Sequence, residues 1–124
     1  MVSRSEPHEH VPLPSHHFEI LVTLATGESH GYRIVKDIEE RTEGNVSLGV
    51  STLYAAVKRM VDDGLVEDAG DRASEKSGGP PRRYYRVTEL GREIARLEAV
   101  RLQRAAGIVL ENLASAPQME ELGR

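Results

Sequence analysis

Apolar residues recur along this chain first with a helical period and then with an alternating one. Phe18, Leu21, Val22 and Ala25 fall three or four residues apart, which predicts a first helix over about 15–25, stopped by Gly27. Ser29 offers a side-chain oxygen to cap a second helix, with Tyr32, Val35 and Ile38 on one side and Arg33, Lys36 and Glu40 elsewhere. Gly44-Asn45 ends it, and Val46-Ser47-Leu48 reads either as an isolated edge strand or as part of the turn. A third helix is predicted over about 50–63, with Leu53, Val57, Met60 and Val61 inward and Gly64 at the C′ position.

The pattern then changes to that of strands. Leu65-Val66-Glu67-Asp68 and Arg83-Tyr84-Tyr85-Arg86-Val87 flank a polar, Gly- and Pro-containing loop over 70–81, which predicts a hairpin with a long tip. Thr88 caps a final helix over about 89–113, on the order of 35–40 Å long at 1.5 Å per residue. Its apolar positions Leu90, Ile94, Leu97, Leu102, Ala106, Val109 and Leu113 exceed what one small domain can cover. Residues 1–14, with Pro7, Pro12 and Pro14 and few apolar side chains, read as a mobile tail. The expected organisation is therefore a tail (1–14), a compact unit (15–88), a C-terminal helix (89–113) and a C-terminal tail (114–124).

Composition narrows the function. The chain has 124 residues, enough for one domain with a real core. That core must be aliphatic, because there is no Trp and one Phe. With no Cys, disulfides, thiolate metal sites and thiol nucleophiles are excluded. The longest apolar stretch, Ile20 to Ala25, is broken by Thr23 and is too short for a bilayer, and the polar start of the chain does not read as a signal peptide; a soluble cytoplasmic protein is expected, with no membrane partner. No H-E-x-x-H, G-x-S-x-G or phosphate-loop motif is present, and Asp62-Asp63 point about 100° apart on a helix, so neither an enzyme nor a cofactor site is expected.

A net charge of −4 argues against nucleic acid as a partner, but the placement of charges matters more. Residues 1–49 hold 4 basic and 8 acidic side chains, whereas 50–86 hold 7 basic and 6 acidic, and Arg82, Arg83 and Arg86 follow the last of these acids, Glu75. The order helix, helix, helix, strand, polar loop, strand, helix is that of a winged helix-turn-helix, mainly α with a small β-hairpin. In such a unit the third helix enters the major groove. Ser51, Thr52, Tyr54 and Lys58 at its start are the candidate contacts to bases and phosphates, opposite the inward Leu53, Val57 and Met60. In the hairpin Lys76, Arg82 and Arg83 are candidate phosphate contacts, and Gly78-Gly79 would allow close backbone approach. Each of these features alone also fits an ordinary solvated surface. His30-Gly31-Tyr32 reads better as packing between helices than as a DNA contact, and of Tyr84 and Tyr85 one should face the core.

Taken in register, the motifs carry a resemblance. His30-Gly31-Tyr32, Ser51-Thr52-Leu53-Tyr54 with Val57-Lys58-Arg59-Met60, Gly64-Leu65-Val66, and above all the run Gly79-Pro80-Pro81-Arg82-Arg83-Tyr84-Tyr85-Arg86-Val87-Thr88-Glu89-Leu90-Gly91 make the chain resemble the PadR family of bacterial transcriptional regulators, over about residues 16–113. The resemblance implies a homodimeric repressor on an inverted-repeat operator in double-stranded DNA. It also implies the branch with a single dimerising helix, for which Ile94, Leu97, Leu102, Val109 and Leu113 are the candidate seam. Many relatives have Pro-Gly where this chain has Val50-Ser51, so the nearest base contacts can differ. Some relatives sense phenolic acids or flat aromatic drugs; a small aromatic or phenolic inducer is implied here, without assigned ligand residues, since no Trp is available to stack on it.

Two alternatives stay open on sequence alone. One is a winged-helix protein-interaction module, which an acidic surface would suit. The other is a metal-responsive regulator using His8, His10, His16 and His17, although no Cys or spaced carboxylate completes a rigid site, and no metal site is expected.

Overall fold

The computed structural model of the chain describes residues 6–73 and 79–114. A 3₁₀ turn, Pro7–His10, leads into α1 (Ser15–Leu24). A two-residue strand β1 (Ser29–His30) runs directly into α2 (Gly31–Arg41), and a turn leads to α3 (Val50–Asp62). Strands β2 (Val66–Arg72) and β3 (Arg82–Val87) form the wing, and α4 (Glu89–Ala114) closes the described chain. The sheet is antiparallel throughout in the order β1-β3-β2, with Ser29 opposite Tyr85 and Val66 opposite Val87. The sequence pattern had Ser29 capping α2 and any short third strand at 46–48. Instead Ser29 is a buried strand residue and His30 is the N-cap, its Nδ1 accepting from the Arg33 backbone N–H at 3.3 Å.

One aliphatic core joins the three helices to the sheet and the start of α4. Ile20, Leu21 and Leu24 of α1, Ile34 and Ile38 of α2, Leu53, Ala56, Val57 and Met60 of α3, and Leu65, Val66, Val87 and Ile94 fill it. Two inward faces differ from their expected registers. In α1 the buried apolar set is Ile20, Leu21 and Leu24, joined by Thr23, while Ala25 is exposed. In α2 Ile34 is buried and Tyr32 lies 60% exposed. Both helices carry more apolar residues than one face needs, so period alone does not choose the face.

Local chemistry sets the boundaries. Helix α3 ends in a Schellman turn: Leu65 N–H donates to Met60 O at 2.9 Å, Gly64 N–H donates to Val61 O at 3.1 Å, and Gly64 takes φ +85°. Thr88 caps α4 by accepting from Gly91 N–H at 3.0 Å, and its hydroxyl donates to Gly64 O at 2.6 Å, tying the end of α3 to the start of α4. Gly91 is required by close approach. A Cβ there would lie 2.7 Å from Val87 Cγ2 and run into the carbonyl oxygen of Leu65.

Residues 6–14 do not extend into solvent as a free tail. The 3₁₀ turn packs on α4, and Val11 and Leu13 rest against the core. Glu98 of α4 is 2% exposed. Its carboxylate accepts from Arg101 at 2.8 and 2.9 Å and from the backbone N–H of Leu13. The Arg101 bonds, then the Leu13 N–H, hold this carboxyl below its ordinary value against the opposing effect of burial.

The second half of α4 buries none of its apolar side chains among the described residues. Every residue from 99 to 114 is exposed, including Val100, Leu102, Ile108, Val109, Leu110 and Leu113. Among the expected seam residues, Leu102, Val109 and Leu113 belong to this open face and Leu97 is half-buried. Ile94 is a correction: it is fully buried in the chain's own core and is not available to a second subunit. Among the described residues, no helix is long and apolar enough to cross a membrane.

Candidate nucleic-acid interface

Helix α3 is divided cleanly between core and solvent. Leu53, Ala56, Val57 and Met60 are buried, while Ser51, Thr52, Tyr54, Ala55, Lys58 and Arg59 are exposed. No side chain caps its amino terminus, where Gly49 is the N-cap, so the first backbone N–H groups of the helix have no side-chain acceptor. Ser51, Tyr54 and Lys58 share one stripe. Thr52 belongs to a different flank, lining a groove with His10, His16, His17 and Arg59. The Lys58 ammonium is 3.5 Å from Asp62 on an open surface, a contact that leaves its charge available.

Tyr54 is seated rather than free. Its ring packs against Gly31 at the start of α2, where a Cβ would come within 2.8 Å of Tyr54 Cζ. The expected packing role of Gly31 thus has a definite object: it lets the phenol lie between α2 and α3, on the face the two helices share. His30 packs edge-on to Tyr84 at 5.2 Å between ring centroids, and Tyr85 of the other parity packs against the core. Burial first, then the neighbouring Tyr54 and Asp68, raise the Tyr85 phenol.

The wing arginines differ sharply in their surroundings. Arg83 is bound to Asp68 and lies 3.0 Å from Asp71. Asp68 sits at a β-bulge, where it also accepts from Gly70 N–H at 2.7 Å. That backbone bond, then Arg83, lowers the Asp68 carboxyl. On the opposite face Arg86 pairs with Glu67 at 2.6 Å and Glu28 at 2.8 Å, and Arg72 pairs with Glu28 at 2.5 Å. Glu28, in the loop before β1, is therefore held ionised by Arg72 first and Arg86 second, and it fastens that loop to both wing strands. Arg82 has no carboxylate within 4 Å among the described residues. Its guanidinium lies over the Tyr32 ring, 5.5 Å from the centroid. Of the residues expected to touch DNA, Ser51, Tyr54 and Lys58 lie together and Arg82 stands at the loop end of the wing strands, opposite Arg72. Arg83 is already compensated, and Lys76 lies outside the described residues.

The histidines do not assemble a metal site: among the described residues, no group of three or more His, Asp or Glu is placed to hold an ion. His16 and His17 meet edge to face at 4.7 Å. Burial, then His16 and Arg59, lower the His17 imidazole below its usual value, partly offset by Asp63.

The sequence reading missed the contributions of Arg33, Lys36 and Tyr32, which α2 presents to the groove bordered by Arg82. A helical wheel places them together, but nothing local reveals that they lack acidic partners. Arg33 and Asp37 are spaced to pair, yet Asp37 is engaged by Thr23 Oγ1 at 2.5 Å and by Arg41 at 3.5 Å.

Comparison with known proteins agrees with this geometry. The model of the transcriptional regulator PadR-like family matches residues 20–97, more than half of the chain. An uncharacterised protein of Lysinibacillus sphaericus is 32% identical over 73 residues, or 59% of this chain; the match spans 64% of that curated relative's length. A PadR-like transcriptional regulator from Bacillus cereus superposes with a TM-score of 0.66 at 23% identity, covering 81% of this chain and 91% of that one. Bacillus subtilis PadR in complex with operator DNA superposes with a TM-score of 0.56 at 23% identity, covering 67% of this chain and 46% of that one.

Proposed function

Because the chain belongs to the PadR-like family of transcriptional regulators, we propose that it binds double-stranded operator DNA as a homodimer and represses transcription until a small-molecule inducer releases it. The observation that carries this reading is the division of α3, with an uncapped, polar amino-terminal stripe facing out over a fully buried apolar one. Ser51, Tyr54 and Lys58 of each subunit would enter a major groove, with Thr52 at its edge. Arg82, Arg83 and Lys76 would meet the flanking phosphates, Arg83 only by exchanging Asp68 and Asp71 for them. The operator complex of the Bacillus subtilis protein supports this mode for a chain of like fold.

The dimer reading is supported by the open apolar face on the second half of α4. A symmetric pair of such helices would place two α3 helices on an inverted repeat. The start of α4 is locked to the end of α3 through Thr88, Gly64 and Gly91, so a change in α4 pairing would move α3 as a body. An aromatic or phenolic inducer bound at the α4 pair would act by favouring a spacing that does not fit the operator.

The test is fluorescence anisotropy with the DNA upstream of the protein's own coding sequence and a scrambled duplex, at low and moderate salt, beside Arg82→Ala. Tighter binding to the upstream duplex, weakened by salt and by the substitution, is the expected result. Salt-insensitive binding, or none to any duplex in a selection from genomic fragments, would overturn the reading.

A further inference from the structure

For a protein of net charge −4, the informative cations are those without a neutralising partner. Arg41, Arg59, Arg72, Arg83, Arg86, Arg96 and Arg101 each have a carboxylate within ion-pair distance. Arg33, Lys36, Arg82, Arg92 and Arg104 have none among the described residues; the last two lie on α4, whereas Arg33, Lys36 and Arg82 line one groove between α2 and the loop end of β3. The arrangement is built by tertiary contacts. Thr23 and Arg41 hold Asp37 away from Arg33, and Arg72 and Arg86 neutralise Glu28 at the groove's edge.

The groove has the other features of a phosphate-backbone track. Tyr32 is 60% exposed and lies under the Arg82 guanidinium, presenting an aromatic edge and a hydroxyl suited to a sugar and a phosphate oxygen. The groove is also lined by Ser29, whose Oγ is buried and lacks a partner. It adjoins the reading face, because Tyr54 of α3 packs on Gly31, the residue before Tyr32. Glu40, one turn beyond Lys36, marks the end at which an anion would no longer be welcome.

We propose that Arg33, Lys36 and Arg82, with Tyr32, hold the sugar-phosphate strand bordering the major groove that α3 enters, and that this track, rather than the ion-paired arginines Arg72, Arg83 and Arg86, supplies the salt-dependent part of DNA affinity. The track depends on the DNA-binding reading and adds to it which charges do the work. A duplex phosphate fits better than a free anion because the three cations are strung along a groove instead of converging on a closed pocket.

Salt titration of duplex binding decides it, with wild type, Arg33→Gln/Lys36→Gln and Arg83→Gln compared on the upstream and scrambled duplexes. All three side chains are solvent-exposed, and matching thermal melts would confirm intact folds. The expected result is a log K against log salt slope shallower by about two per bound subunit for the double variant, on both duplexes alike, and a slope within about half a unit of wild type for Arg83→Gln. An unchanged slope in the double variant, with wild type still binding DNA, would overturn the track and leave the DNA-binding reading standing. A loss as large in Arg83→Gln as in the double variant would overturn the division between paired and unpaired arginines. No salt-dependent binding of any duplex by wild type would overturn both readings. Inorganic phosphate, followed by NMR shifts of Tyr32 and Arg33, is the arm for a free anion: saturable binding there with an unchanged DNA slope would assign the groove to a small phosphorylated ligand instead.

Discussion

Two glycines show how a single missing methyl group positions this interface. At Gly91 an added Cβ would meet backbone, the Leu65 carbonyl, which cannot yield without moving the end of α3. Gly91→Ala should therefore destabilise the fold by about 1–3 kcal/mol, read as a lower urea midpoint at unchanged m. At Gly31 the closest obstacle is the phenol of Tyr54, the far end of a side chain that can swing away, with the core side chain Leu53 next at 3.1 Å. Gly31→Ala should lower the urea midpoint less than Gly91→Ala while weakening DNA binding, because it displaces a residue of the proposed reading face. Equal stability losses in the two variants would contradict this account. Gly31 was legible in the sequence as a packing glycine, but its partner was not, since Tyr54 lies 23 positions away in the chain.

Among the elements, the segment before α1 departs furthest from expectation. Prolines and a scarcity of apolar residues gave it the look of a tail, yet Val11 and Leu13 suffice to seat it because α4 offers a buried acceptor, Glu98. The Glu98 carboxyl is held below its ordinary value of 4.5, chiefly by Arg101. A carboxyl whose value is depressed by folding contributes stability that is fully present above 4.5 and is lost as pH falls through the depressed value. Thermal melts from pH 6 to pH 3 should show this acid limb, and Glu98→Gln should flatten it and speed amide exchange over residues 6–14. An identical pH profile in the variant would remove Glu98 from the account. The wing was legible as a hairpin from its alternation, but its bulge at Asp68–Gly70 and the resulting capture of Arg83 were not. Alternation gives strand parity and says nothing about where an extra residue is absorbed.

For the molecule as a whole, the decisive feature is an α4 longer than its own domain can cover. A face containing Ile108, Val109, Leu110 and Leu113 exposed to water is unfavourable for a monomer, and the proposed pairing of two α4 helices would cover it. Val109→Glu/Leu113→Glu should give a monomer by analytical ultracentrifugation, with far-UV helicity largely retained and affinity for a two-half-site operator sharply reduced. A double variant that stays dimeric would move the seam elsewhere. Ile94, expected at this seam, shows the limit of a heptad-like reading: both halves of α4 carry the same spacing, but only the first half meets its own core.

The sequence by itself determined the order of the four helices and the two wing strands, the split of α3, the Gly64 stop and the Thr88 cap, because each depends on period or on hydrogen bonds between residues close in the chain. It also determined that α4 has apolar surface to spare. Only the tertiary structure decided which face of α2 is buried, which half of α4 is open and which arginines have a carboxylate beside them. Neutralisation is a property of pairs brought together from distant segments, as Glu28 is with Arg72 and Arg86. The same count of basic residues could have left a different groove charged; the fold left the one between α2 and the wing.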